Sequence, residues 1–204
     1  MSELNNIALK VIGKGKGILA TDESTGTMTK RLNSVKVDST VENRLMFREM
    51  LFSSESMKTC IGGVILYDET IKQSNSSGKK IPELISNTGA VPGIKVDTGA
   101  KVLANSPEEK ITEGLDGLRE RLKEYYKLGA RFTKWRAVYI ISKNYPSKLS
   151  IISNAHALAR YAALVQESGM VPIIEPEVLM DGILGAEDCY KKTSEVIKKC
   201  YDQL

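Results

Sequence analysis

Short apolar runs and longer stretches of helical periodicity alternate along the chain. The runs cover residues 17–20, 63–67, 93–96, 132–138 and 171–174 and are rich in Ile, Val and Leu. They are nearly continuous in hydrophobicity, as parallel strands covered on both faces are, and so predict five strands. Between them, Ser39 with Glu42 forms a capping box ahead of Leu45, Met46 and the Met50-Leu51-Phe52 cluster. Leu115, Leu118, Leu122 and Tyr125 keep helical spacing up to Gly129, and Ile151, Ala155, Leu158, Ala162 and Val165 do so up to Gly169. Both glycines suit the residue just past a helix C-terminus. Residues 186–204 predict a last amphipathic helix.

Strand followed by helix, repeated, is the signature of the α/β class. With no internal linker or low-complexity tract, the expectation is one domain over residues 1–204. Five βα units fit either a doubly wound sheet or part of a closed barrel, since a full barrel takes about 250 residues. The strand ends favour the barrel. They carry Asp22, then Asp68 with Glu69, Lys95 with Asp97, Lys134 with Arg136, and Glu175 with Glu177. A barrel keeps its active site at the carboxyl ends of its strands. Residues two apart share a strand face, so the last two pairs each aim two charges one way.

Composition narrows the partners. With 42% hydrophobic and 26% charged residues the chain suits a globular fold, and its 29 basic against 25 acidic residues are scattered. Nucleic acid is therefore not the expected partner. No apolar run approaches the roughly 20 residues that span a bilayer, and the opening MSELNNIALK has no leader-like pattern; the expected location is cytoplasmic. Cys60, Cys189 and Cys200 form no CxxC pair and predict three free thiols. Asn75-Ser76-Ser77 reads as a polar loop, and G-x-G-x-x-A within residues 13–20 precedes a strand, so it is no dinucleotide fingerprint.

Among candidate chemical residues, Asp68 and Glu69 read as solvated loop residues, and Asp22 alone fits an N-cap as well as an acid. Lys134 and Arg136 flank Trp135 inside an apolar strand, an arrangement that is costly unless anions answer it. Glu175 and Glu177 supply that answer, either as a structural ion-pair network or as a site. Balancing Asp22, Glu175 and Glu177 against Lys95, Lys134 and Arg136 suits a phosphorylated substrate and general acid/base catalysis. The sole histidine, His156, lies mid-helix, and no cluster suits zinc, so neither metal nor cofactor is expected.

Five segments carry a resemblance: GKGILATDESTGTMTKRL at 15–32, CIGGVILYDET at 60–70, PGIKVDTG at 92–99, GLDGLRERLKEYYKLGARFTKWRAV at 114–138 and ARYAALVQESGMVPIIEPEVLMDG at 159–182. In order and spacing they resemble the class I, Schiff-base-forming fructose-1,6-bisphosphate aldolases of eukaryotic type. The resemblance implies an incomplete (β/α)8 barrel and reversible cleavage of fructose 1,6-bisphosphate in glycolysis, without metal. It implies that Asp22 assists proton transfer and that Lys134 and Arg136 lie by the substrate. Glu175 would be the acid/base of carbinolamine chemistry, with Glu177 orienting neighbouring cations. Lys95 and Arg31 would place the sugar phosphate, with Ser24 and Thr27 in the same turn.

The family's Schiff-base lysine lies in an LLKPN-like segment, and these 204 residues contain none. A surrogate imine on Lys134 is chemically conceivable, but that residue resembles a positioning lysine. The expectations that follow are negligible turnover by the chain alone and bare sheet edges open to association, whether with copies of itself or with a polypeptide carrying the remaining barrel strands. A split enzyme and a non-catalytic sugar-phosphate- or protein-binding remnant are the alternatives.

Overall fold

A computed structural model describes residues 2–204. In chain order the elements are α1 (Glu3–Val11), β1 (Gly17–Ala20), α2 (Thr25–Ser34), α3 (Val41–Phe52), α4 (Ser56–Cys60), β2 (Ile61–Leu66), α5 (Asp68–Ile71), α6 (Ile81–Asn87), β3 (Val91–Lys95), β4 (Gly99–Leu103), β5 (Ser106–Glu113), α7 (Leu118–Lys127), β6 (Phe132–Tyr139), α8 (Lys148–Glu167), β7 (Val171–Val178) and α9 (Ala186–Gln203). Two compact units divide them. The first comprises the residues up to Lys95, Leu122–Thr133 and Ser168–Val171; the second comprises Val96–Arg121, Lys134–Glu167 and Pro172–Leu204.

In the first unit β1, β2 and β3 run parallel, with Ile65 opposite both Ala20 and Gly93. Their apolar residues Val64, Ile65, Leu66, Val91 and Ile94 are buried together with Ile71, Ile81 and Ile85 of the helices, which accounts for their unbroken hydrophobicity. Two glycines admit close neighbours. A Cβ on Gly62 would lie 2.1 Å from the Val11 carbonyl oxygen at the end of α1, and one on Gly93 would lie 2.3 Å from the Phe132 ring. The Arg131 amide donates to the Pro92 carbonyl and the Val171 amide to that of Arg131, so the starts of β6 and β7 extend the sheet in the order β1-β2-β3-β6-β7.

In the second unit, Trp135 of β6 stacks on Tyr161 of α8 with ring centroids 5.3 Å apart. Tyr139, Leu158, Val165, Val196 and Cys200 complete that core. The antiparallel pair β4–β5 is held to α8 by polar groups. Asn154 accepts from the Thr112 amide at 3.2 Å and donates to the Lys110 carbonyl at 2.9 Å. The buried Glu109 carboxylate accepts from the Ser147 amide at 2.7 Å and from the Ser106 hydroxyl at 2.8 Å.

Three sequence expectations need correction. The hairpin β4–β5 is not predicted, because the side chains β5 buries are Glu109 and Thr112 rather than apolar ones, and no hydrophobic alternation marks it. The N-cap of α3 is Thr40, which accepts from the Asn43 amide at 3.1 Å; the Ser39 hydroxyl instead accepts from Thr29. The helix expected from Leu115 starts at Leu118, because Gly114 and Gly117 take positive φ of 130° and 65°, which a helix does not admit. Gly129 and Gly169, with φ of 108° and 76°, do follow their helices as expected.

Candidate functional site

The clearest cluster lies in the second unit and arises from strand alternation. Along β6, Trp135, Ala137 and Tyr139 are buried, whereas Lys134, Arg136 and Val138 between them are half-buried. The two cations therefore share the face opposite the aromatic core. The strand β7 runs on to Val178, so Glu175 and Glu177 sit within it rather than past its end.

Lys134 Nζ lies 2.8 Å from Glu175 Oε2, and Arg136 Nε lies 3.9 Å from Glu175 Oε1 while bonding the Glu177 carboxylate. The side chain of Lys134 is 12% exposed and that of Glu175 35%. An ammonium–carboxylate bond so placed contributes about 1–2 kcal/mol, less than a fully buried pair because water reaches the carboxylate. The bond to Glu177 raises the hold of Arg136 on its proton; burial opposes this, and the charges of Glu177, Glu175 and Asp97 reinforce it. A carboxylate in direct contact with an ammonium is equipped to pass a proton, and the permanent guanidinium beside it to bind an anion.

Asp97 lies two residues past the end of β3. Its carboxylate accepts from the Arg136 amide at 3.3 Å and from the Gly99 amide at 3.1 Å. Arg121 donates to the Val96 carbonyl at 2.7 Å and to the Gly114 carbonyl, tying the segment before Asp97 to the turn ahead of α7. The bonds to Arg136 and Val96 join groups 39 and 25 positions apart, which no local pattern marks.

The first unit holds Asp22, Ser24, Thr27, Arg31 and Lys95. Ser24, not Asp22, is the N-cap of α2, accepting from the Thr27 amide at 3.3 Å with the two hydroxyls 3.1 Å apart. That removes the capping reading of Asp22. Arg31, in the last turn of α2, pairs with Glu23, and its side chain is 60% exposed. Lys95 ends β3 half-buried. Glu69 is not a solvated loop residue. It opens α5 with Asp68 and takes both Nε, at 2.9 Å, and Nη2, at 2.5 Å, of Arg44. That bond holds the Glu69 carboxyl below the usual range. Asp68 accepts from the Tyr125 hydroxyl at 2.8 Å and pairs with Lys72.

His156 is exposed on α8, its Nδ1 3.3 Å from Gln203 Oε1. Among the described residues no group of three His, Cys, Asp or Glu side chains could hold a metal ion, and no helix is long and apolar enough to cross a membrane. The three cysteines are free thiols.

Fold and side chains together define a parallel α/β protein whose strands carry paired cations and carboxylates of the acid/base type. The family model described as fructose-bisphosphate aldolase class-I matches residues 3–204, and the chain belongs to that family. It is 49% identical over all 204 of its residues to a probable fructose-bisphosphate aldolase class 1 of Xanthomonas campestris pv. campestris, covering 61% of that protein. It is 50% identical over 190 residues to the cytosolic fructose-bisphosphate aldolase 6 of Arabidopsis thaliana, covering 53% of it. The solved structure of fructose-bisphosphate aldolase from Plasmodium falciparum, in ternary complex with TRAP and a small-molecule inhibitor, matches 99% of this chain with a TM-score of 0.96 and 46% identity. The five-stranded parallel sheet is thus of the aldolase type, part of a barrel. The chain spans about three-fifths of the length of the curated relatives it matches.

Proposed function

We propose that these residues serve a fructose-bisphosphate aldolase that cleaves fructose 1,6-bisphosphate reversibly into dihydroxyacetone phosphate and glyceraldehyde 3-phosphate, in the cytoplasm and within glycolysis. The observation that carries the reading is the Lys134–Glu175 contact of 2.8 Å with Arg136 beside it. A carboxylate held against an ammonium can deliver and retrieve the proton that carbinolamine formation and dehydration require. Glu175 is then the acid/base, Lys134 its partner at the substrate, and Glu177 the anchor that orients Arg136. Asp22 takes part in proton transfer at the carbon–carbon bond. Arg31, Lys95 and Arg136 meet the phosphates, and Ser24 and Thr27 shape the turn before α2.

Binding by these 204 residues is the step that tests the reading. Calorimetry at low salt should show fructose 1,6-bisphosphate binding that weakens as ionic strength rises. The double change Arg31→Ala, Arg136→Ala should lower affinity at least tenfold. Absence of binding at millimolar ligand, or affinity untouched by the double change, would sink the reading. Treatment with dihydroxyacetone phosphate and borohydride should leave the chain unmodified; a reduced adduct on Lys134 would make that residue the nucleophile and refute its positioning role.

A further inference from the structure

Arg48 has no role in the chemistry proposed above, yet it is the most deeply buried charge described in the first unit, its side chain 0% exposed. Such a group is costly inside a protein unless close carboxylates answer it. Here two carboxylates answer it only as long ion pairs, beyond hydrogen-bond distance. Glu23 Oε2 and Glu69 Oε2 each lie 3.9 Å away, Glu69 is taken by Arg44 through two bonds, and Glu23 is paired with Arg31. Burial lowers the hold of Arg48 on its proton, an effect that the charges of Glu23, Glu69 and Asp22 oppose and that of Arg44 adds to.

What the guanidinium bonds is backbone. Nε donates to the Thr21 carbonyl at 3.1 Å and Nη2 to the Glu23 carbonyl at 2.8 Å, so both carbonyls flanking Asp22 end on one rigid fork. Thr21 is further tied to the Ile65 carbonyl by its amide at 3.0 Å and its hydroxyl at 2.9 Å. We propose that Arg48 is a positioning residue that holds the segment Thr21-Asp22-Glu23 so that the Asp22 carboxylate stays in place for proton transfer. This rests on the reading of Asp22 given above. Only arginine presents two donors in fixed planar geometry on a stem long enough to reach from α3, whereas lysine offers a single point of attachment. An apolar side chain of similar length fills the volume and fixes nothing. The position thus fixes the placement of one loop, and a displacement of about 1 Å at a reacting group can cost about a hundredfold in rate.

The test uses the full chain without ligand and compares it with Arg48→Met and Arg48→Lys. Nitrogen-15 relaxation should give Asp22 and Glu23 order parameters near the rigid value of about 0.85, falling below about 0.6 in the methionine variant and to between the two in the lysine variant. The urea midpoint of the methionine variant should fall, because the carbonyls of Thr21 and Glu23 and the Glu23 carboxylate lose a buried donor; the loss of order should nevertheless stay confined to the segment around Asp22. An Asp22 order parameter unchanged in Arg48→Met overturns the proposal, as does a loss of order spread evenly over the whole sheet. Should the methionine variant not fold, a folded lysine variant with Asp22 as rigid as in the parent overturns it equally. These measurements need no substrate, so failure of fructose 1,6-bisphosphate to bind would refute the aldolase reading of Asp22 while leaving the clamp itself decided by relaxation.

Discussion

Replacing Gly93 by alanine tests the packing of the first unit with a single methyl group. At an ordinary strand position the change would stabilise by about 0.5–1 kcal/mol, because glycine loses more backbone entropy on folding. Here the added Cβ would lie 2.3 Å from Phe132 Cζ and 2.5 Å from both Cε atoms, whereas carbon atoms attract at about 3.5–4.0 Å. The overlap therefore exceeds about 1 Å. The ring cannot withdraw freely, since Phe132 is 0% exposed, and a Cβ on Gly63, in the neighbouring strand, would also stand only 3.0 Å from it. Overpacking of this severity costs about 3 kcal/mol, the upper end of the usual range. With a urea slope of about 1–3 kcal/mol per molar, the unfolding midpoint should fall by about 1–3 M. Phe132→Ala alone should cost about 3–5 kcal/mol through the cavity it leaves. In the double variant the new methyl occupies part of that cavity, so the combined loss should be smaller than the sum by about 1–3 kcal/mol. A Gly93→Ala midpoint equal to or above that of the parent, or additivity within about 0.5 kcal/mol, would refute the close approach.

Two further outcomes follow from titratable groups. The carboxyl of Glu69 is lowered from 4.5, chiefly by its bond from Arg44; that of Glu109 is lowered despite burial, because bonds from Ser147 and Ser106 outweigh it. Both depressed values mean that the unfolded chain takes up the proton first. Their contribution is complete above pH 4.5, the ordinary value, and disappears as pH falls through the folded values. Urea unfolding from pH 7 to pH 3 should show that loss, and Glu69→Gln should flatten it; an identical acid limb in parent and variant contradicts the argument. Cys60 is exposed and Cys200 buried, and burial raises the Cys200 thiol against a lowering bond with Tyr139. A thiol reagent at pH 8 should therefore label Cys60 at least about a hundredfold faster than Cys200 in the native chain and all three cysteines equally in denaturant. Comparable native rates would refute the packing around Tyr139.

Several features were legible before any coordinates. The apolar runs located all five strands of the parallel sheet, because strands covered on both faces must be hydrophobic throughout. Gly129 and Gly169 marked helix ends because positive φ costs glycine little. The face shared by Lys134 and Arg136 followed from the period of two along a strand. The hairpin β4–β5 stayed hidden because its inward groups are Glu109 and Thr112, whose burial depends on partners in and beside α8. Glu69 was misread for the same reason, since Arg44 reaches it from 25 positions away.

The sequence by itself therefore determined the α/β class, the strands and the residue types of the paired-charge cluster, because these depend on local periodicity and on motifs contiguous in the chain. Glu175 and Glu177 are expected from the sequence to answer Lys134 and Arg136, but tertiary structure alone decided the individual pairs and the remaining partners. It set Lys134 against Glu175 at 2.8 Å, paired Arg31 with Glu23, set Asp97 on the backbone of Arg136, and placed Arg48 on the carbonyls of Thr21 and Glu23 between two longer ion pairs. Its part is irreducible because an ion pair or a buried fork is fixed to within a few tenths of an ångström by the packing of distant elements, and nothing in local periodicity encodes that distance.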